Sequence, residues 1–188
     1  MTQEEFLGWR SGGRRGWEGE ELSGLDLSGV DLAGCNLTGA DLSGARLRGA
    51  RLLRATLSRA VLTQADLTQA DLAFSRIVGA DLTGANLEAA SLYEATLSRS
   101  RLVGANLSFS NLTHAKLRQS DLTECDLSGA VLIGGDLSEA ILTRARLVGT
   151  ILSRVTLEGA RLDSALLKAV RTGRHPGGGS SPRRPRPL

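Results

Sequence analysis

From Leu22 to Leu167 a large aliphatic residue returns at every fifth position, and all 30 of these centres are Leu except Ile77. Two places before each centre stands a mostly small residue. It is usually Ala, as at Ala40, Ala65, Ala85 and Ala145, and elsewhere Ser75, Ser100, Cys35, Cys125 or another residue. The other three positions are mainly polar or Gly, as in Ala40-Asp-Leu-Ser-Gly44. Neither regular element can use this period. On an α-helix five residues turn about 500°, so successive Leu would drift by ~140° and wrap the cylinder. In a continuous strand five steps would send each Leu to the opposite face. Within one pentad, however, the small residue and the Leu sit two apart, as inward neighbours on an extended stretch do. The pattern therefore predicts a short extended segment followed by a bend after every fifth residue. Gly at the last position, as at Gly24, Gly44, Gly84 and Gly129, suits that bend. Such a coil keeps every Leu and every small residue inside and pairs with the next coil about 4.8 Å away.

These segments carry a resemblance. Ala40-Asp-Leu42, Ala65-Asp-Leu67, Ala70-Asp-Leu72, Ala80-Asp-Leu82, Ala85-Asn-Leu87 and Ala105-Asn-Leu107 resemble the pentapeptide-repeat family, whose motif is written A(D/N)LXX. The resemblance covers roughly residues 20–169. It implies an all-β fold, a right-handed quadrilateral β-helix with four repeats per coil. At that geometry the repeats make about 7–8 coils and a rod ~36 Å long. The predicted organisation is an N-terminal cap over residues 1–20, the solenoid over 21–170, and a tail over 171–188.

The ends differ from the body. Phe6, Leu7, Trp9 and Trp17 stand in the non-repeat N-terminal stretch, where a short helix or loop folding over the first coil would cover its open edge. Asp163-Ser-Ala-Leu-Leu-Lys-Ala-Val170 reads as the last coil passing into a short helix, with Asp163 or Ser164 capping its start. The tail from Gly177 to Leu188 has the composition of disorder. It contains a Pro182–Pro185 PxxP spacing and Arg183, Arg184 and Arg186. Charge is distributed unevenly: residues 171–188 hold five Arg and no acid, whereas residues 21–170 are close to neutral. The positive net charge of the chain, +3, thus belongs to the tail.

Catalytic chemistry finds no foothold. The Asp residues recur because the repeat does, and His114 is the only histidine of the body, so no nucleophile–base pair is assembled. A phosphate-cradling GxxxxGK[ST] loop is missing. Cys35 and Cys125 fit neither metal nor disulfide spacing and read as inert core thiols. The sequence predicts a protein that is not an enzyme, with no cofactor and no metal. It has neither an apolar run of about 18 residues nor a signal-peptide pattern, so the expectation is no membrane span and a cytoplasmic, bacterial setting.

Function is left to the outer wall. With four sides, residues twenty apart stack on one face. Leu53, Phe74, Tyr93, His114, Val131, Ile133 and Ile151 then form an apolar series, the candidate partner-binding face. The adjoining face carries the candidate basic strip Arg59, Arg76, Arg99, Lys116 and Arg118, turning acidic at Asp136, Glu139 and Glu158. The leading expectation is a non-catalytic interaction or scaffold module docking an unknown protein on the apolar face, with homodimerisation through that face as a variant. The alternative follows from the resemblance: some family members imitate a DNA duplex and occupy type II topoisomerases such as DNA gyrase, giving quinolone resistance. That role needs a strongly negative rod, and here Arg46, Arg51, Arg101 and Arg144 interrupt the acids. Nucleic-acid binding through the basic strip ranks last, since no aromatic residue lies on it; the Arg-rich tail offers at most weak attachment.

Overall fold

The computed structural model describes residues 2–173, apart from the side chains of Gln3, Trp9 and Arg10. Across the solenoid, parallel bridges join each pentad to the one twenty residues later: Glu21 to Asp41, Asp26 to Arg46, Asp31 to Arg51, and so on to Ile151 and Arg171. A register of twenty residues on a period of five means four pentads per coil. Each coil is thus a four-sided ring, and the rings stack into about eight layers. The β character consists of isolated bridges, one per side, and no extended strand occurs among the described residues.

The backbone bonds explain why five residues suffice. In the pentad around Leu42, the Leu42 amide donates forward to Val61 (2.7 Å) and the Gly44 amide to Thr63 (2.8 Å), while Asp41 donates back to Glu20 (3.0 Å). The Ala45 amide closes the bend by donating to Leu42 (3.0 Å). One amide is left over, that of Ser43, and it donates to the Asp41 side chain (2.8 Å). Every amide of the unit is therefore satisfied, as buried or packed backbone requires. The same side-chain bond recurs from Ser28 to Asp26, Thr68 to Asp66, Thr83 to Asp81 and Ser108 to Asn106. This is the physical use of Asp or Asn in the motif. The Asp41 and Asp136 carboxyls are held below the ordinary carboxylate range, first by the Ser43 and Ser138 hydroxyls and then by the amides of the same residues.

The last residue of each pentad takes a positive φ, the third-position conformation of a type II turn. Gly adopts it without cost, but Arg54, Gln64, Phe74, His114 and other L-residues adopt it too. Several of these lean over a Gly in the next coil. A Cβ on Gly129 would stand 2.7 Å from the Phe109 ring, and one on Gly134 would stand 2.5 Å from His114.

The inward Leu and Ala side chains are fully buried through most of the rod. Most polar residues at the small inward positions find a carbonyl: Ser110 and Ser120 donate to the preceding centres Leu107 and Leu117, and Ser100 and Thr150 donate to Ile77 and Leu127 in the coil before, whereas the buried Ser75 hydroxyl makes no such bond. Cys35 and Cys125 are fully buried, no disulfide joins them, and burial pushes the Cys125 thiol far up.

Helix α1, Gln3–Ser11, stands at the N-terminal end. The Thr2 hydroxyl accepts from the Glu5 amide (3.2 Å) and the Glu5 carboxylate accepts from the Thr2 amide (2.8 Å), a capping box. Buried Phe6 meets Trp17 with ring centroids 4.3 Å apart. Trp17 itself occupies a centre position: its amide donates to Asn36 (2.7 Å) and Gly16 bridges Asn36. The coil therefore starts one pentad earlier than the aliphatic series, because a tryptophan fills the first inward site.

The short C-terminal helix expected over Asp163–Val170 does not form. Ser164 and Ala169 take the positive φ of the bend, Ala165 donates to Leu162 (3.1 Å), and Leu166 donates back to Ala145 (2.8 Å). Pairing to the preceding coil outweighs the local helical appearance of this segment. In this last coil the interior opens: Leu157 and Leu162 are half-buried, and Leu167 is 52% exposed.

Leu97 is fully buried in the middle of the stack. Leu97→Ala is expected to lower unfolding free energy by about 2–5 kcal/mol, read as a lowered denaturant midpoint at unchanged slope.

Candidate partner-binding surface

The twenty-residue register sorts the outer positions into columns. Leu53, Ala73, Tyr93, Thr113, Ile133 and Ser153 share one column, just after the centres Leu52 to Leu152. Phe74, Glu94 and His114 follow in the positive-φ column, and Val131 and Ile151 bridge one another on the same side. All seven residues of the expected apolar series thus lie along one side of the rod. Three of them touch in sequence: Phe74 meets Tyr93 edge to face at 5.4 Å between centroids, and Tyr93 meets His114 at 6.2 Å. Phe74 is 42% exposed and His114 is exposed, whereas Leu53, Val131, Ile133 and Ile151 are half-buried.

Two residues outside the expected set complete this ladder. The Arg54 guanidinium lies 5.6 Å over the Phe74 ring, a cation–π contact. The Tyr93 hydroxyl donates to Glu94, and that bond and charge raise the phenol pKa. Arg54 was legible in principle, since it precedes Phe74 by twenty residues in the same column. Beyond His114 a shallow cleft is lined by Glu94, His114, Ala115, Lys116, Gly134 and Asp136, joining the aromatic side to the charged one.

Arg59, Arg76, Arg99, Lys116 and Arg118 are all exposed. The strip is partly tied down at its far end. Arg99 donates to Gln119 (3.0 Å), Gln119 donates to Glu139 (2.7 Å), and Arg118 pairs with Glu139. These bonds hold the Glu139 carboxyl below its ordinary range, those from Gln119 and Arg118 acting most. Elsewhere on the wall the acids pair with arginines one coil on: Asp26 with Arg46 (3.1 Å), Asp31 with Arg51 (3.6 Å), Glu124 with Arg144 (3.0 Å) and Asp126 with Arg146 (3.4 Å). Among the described residues no group of His, Cys, Asp and Glu is arranged to hold a metal ion, and no helix is long and apolar enough to cross a membrane.

The chain matches the Pentapeptide repeats family in eight copies, over residues 21–52, 50–88, 90–129 and 125–168. It belongs to the pentapeptide-repeat family. Among solved structures it is similar to HetL, a pentapeptide-repeat protein involved in heterocyst differentiation regulation in the cyanobacterium Nostoc sp. strain PCC 7120. That similarity is 31% identity over 90% of this chain and 96% of HetL, with a TM-score of 0.46. A trypsin-treated form of QnrB1, a plasmid-mediated fluoroquinolone resistance protein, superposes with a TM-score of 0.64 at 20% identity, covering 85% of this chain and 87% of QnrB1. No curated protein matches the sequence. For this pentapeptide-repeat protein the likeness to QnrB1 is one of fold.

The chain has a single tyrosine, so its titration can be followed directly by tyrosinate absorbance. Because the Glu94 carboxylate favours the protonated phenol, Glu94→Gln is expected to lower the Tyr93 pKa toward the ordinary phenol value. An unchanged titration midpoint would detach Glu94 from the ladder.

Proposed function

We propose that this pentapeptide-repeat protein is a non-catalytic docking module that binds a protein partner along the Arg54–Phe74–Tyr93–His114 side. The reading includes no cofactor and no chemical step, a cytoplasmic setting, and the right-handed winding that the family resemblance implies. One observation carries it: three aromatic rings in unbroken contact along one side of the rod, flanked there by the half-buried Leu53, Val131, Ile133 and Ile151. Aromatic side chains supply large contact area at small entropic cost and dominate protein interfaces. The leucine-filled interior supports the reading, since it leaves recognition to the outside. The neighbouring basic strip would orient the partner through its charge. Converting Phe74 and Tyr93 together to Ser is expected to weaken partner capture by at least ~10-fold, a loss of about 1.4 kcal/mol. The circular-dichroism melt should hold, because these rings lie outside the core. Unchanged capture and unchanged oligomeric mass would remove this side from consideration; a halved mass would identify the partner as a second copy.

The second reading, protection of a type II topoisomerase by imitation of DNA, draws support from the QnrB1-like fold alone. Against it stand the ion pairs that alternate sign along the wall. A gyrase supercoiling assay with a quinolone separates the two: no protection at micromolar protein is expected, and protection would favour the second reading.

A further inference from the structure

We propose that the chain's own Pro-Arg segment, Pro182–Pro187, binds back onto the aromatic ladder and competes with the partner for it. The inference rests on reading that side as a binding surface, and it names a ligand class, a proline-rich strand carrying arginines.

Position supports it first. The described chain ends at Gly173, whose amide donates to Ser153 (3.1 Å), and Arg171 bridges Ile151. Gly173 therefore stands in the column of Tyr93, Thr113, Ile133 and Ser153, on the ladder's own side of the rod. Thr113 lies three coils away, ~14 Å at the spacing of paired strands. Eight residues, Arg174–Ser181, separate Gly173 from Pro182, and five of them are Gly or Ser. A Gly/Ser connector of that length spans ~15 Å r.m.s.. Effective concentration is greatest when connector and span agree.

Spacing supports it second. Proline-rich segments favour the polyproline II helix, in which three residues advance ~9.3 Å. Phe74 and His114 lie two coils apart, ~9.6 Å. Pro182 and Pro185 thus repeat at the interval of alternate rungs, so both can seat against rings with Tyr93 between them. Aromatic-lined surfaces are the usual receptors of such segments.

Charge is the third element. Asp71, Glu94 and Asp136 border the ladder and its cleft, and Arg183, Arg184 and Arg186 are available to them. Arg51, Arg54, Arg76, Lys116 and Arg154 stand in the same columns and oppose, so attachment of the arginines is confined to the stretch around Glu94, between Tyr93 and His114. The Arg54–Phe74 contact shows how an arginine sits on a ring of this wall.

The test uses the full chain with Ser181→Cys carrying a spin label. Cys35 and Cys125 are fully buried, so the label goes to position 181. Amide signals of Tyr93, Glu94 and His114 are expected to be lost selectively, while those of Gln64 and Gly84 on the opposite side persist. The loss should be independent of protein concentration, should weaken when Arg183, Arg184 and Arg186 are changed to Ser, and should vanish in the Phe74→Ser/Tyr93→Ser variant. Equal effects on both sides, survival of the effect in that variant, or growth of the effect with concentration would each overturn the proposal, the last in favour of a tail from a second copy. Partner capture is measured separately. Loss of capture in the ladder variant without a tail effect leaves the docking function standing and removes the strap alone.

Discussion

The satisfaction of backbone amides at a five-residue interval governs this molecule. A coil that turns at every pentad interrupts its own ladder four times per layer, and each interruption exposes a donor. The structure settles most of these donors within the backbone, between coils and across the bend, and gives the remaining one to an Asp or Asn side chain. Leucine at the centre follows from the same geometry, because a ring of four sides with inward side chains has room for four large residues and four small ones per layer. Neighbour-to-neighbour stacking then supplies stability along the rod, as in other solenoids.

This economy of backbone leaves the wall free to vary. A residue's surface neighbours are set by the register, so positions twenty apart touch while positions five apart face different sides. Phe74, Tyr93 and His114 are scattered in the sequence and contiguous on the rod. The ion pairs from Asp26 to Arg46 and from Glu124 to Arg144 obey the same rule. Exposed pairs of this kind add little to stability, and their larger effect is to alternate the sign of the wall.

The inward positions were legible because a strict period leaves one arrangement open, and Ala80, Leu97 and Cys125 are buried as that period demands. The columns of the outer wall followed once four sides were assumed. Other features depended on three-dimensional partners. The role of Asp41 was hidden because a bond to the amide two residues on is a matter of turn conformation, which the motif alone does not reveal. Trp17 escaped the series because its size, unlike that of Leu, disguised a centre position. The segment from Asp163 to Val170 looked helical in isolation, yet the preceding coil offered it a ready-made edge, and pairing won. Arg54 was passed over because a charge beside an apolar series reads as its boundary, whereas the guanidinium lies on the Phe74 ring.

The pairing of Phe109 with Gly129 and of His114 with Gly134 has an outcome for how such a wall can change. A bulky side chain at the corner borrows room from the layer above, and the glycine there is the vacancy it fills. Moving Phe109 or His114 to another height on the rod means moving two positions together, the ring and the glycine twenty residues later, whereas Phe74 is followed there by Glu94. At these two corners the ring and the glycine above it are therefore coupled, and a change at one is felt at the other.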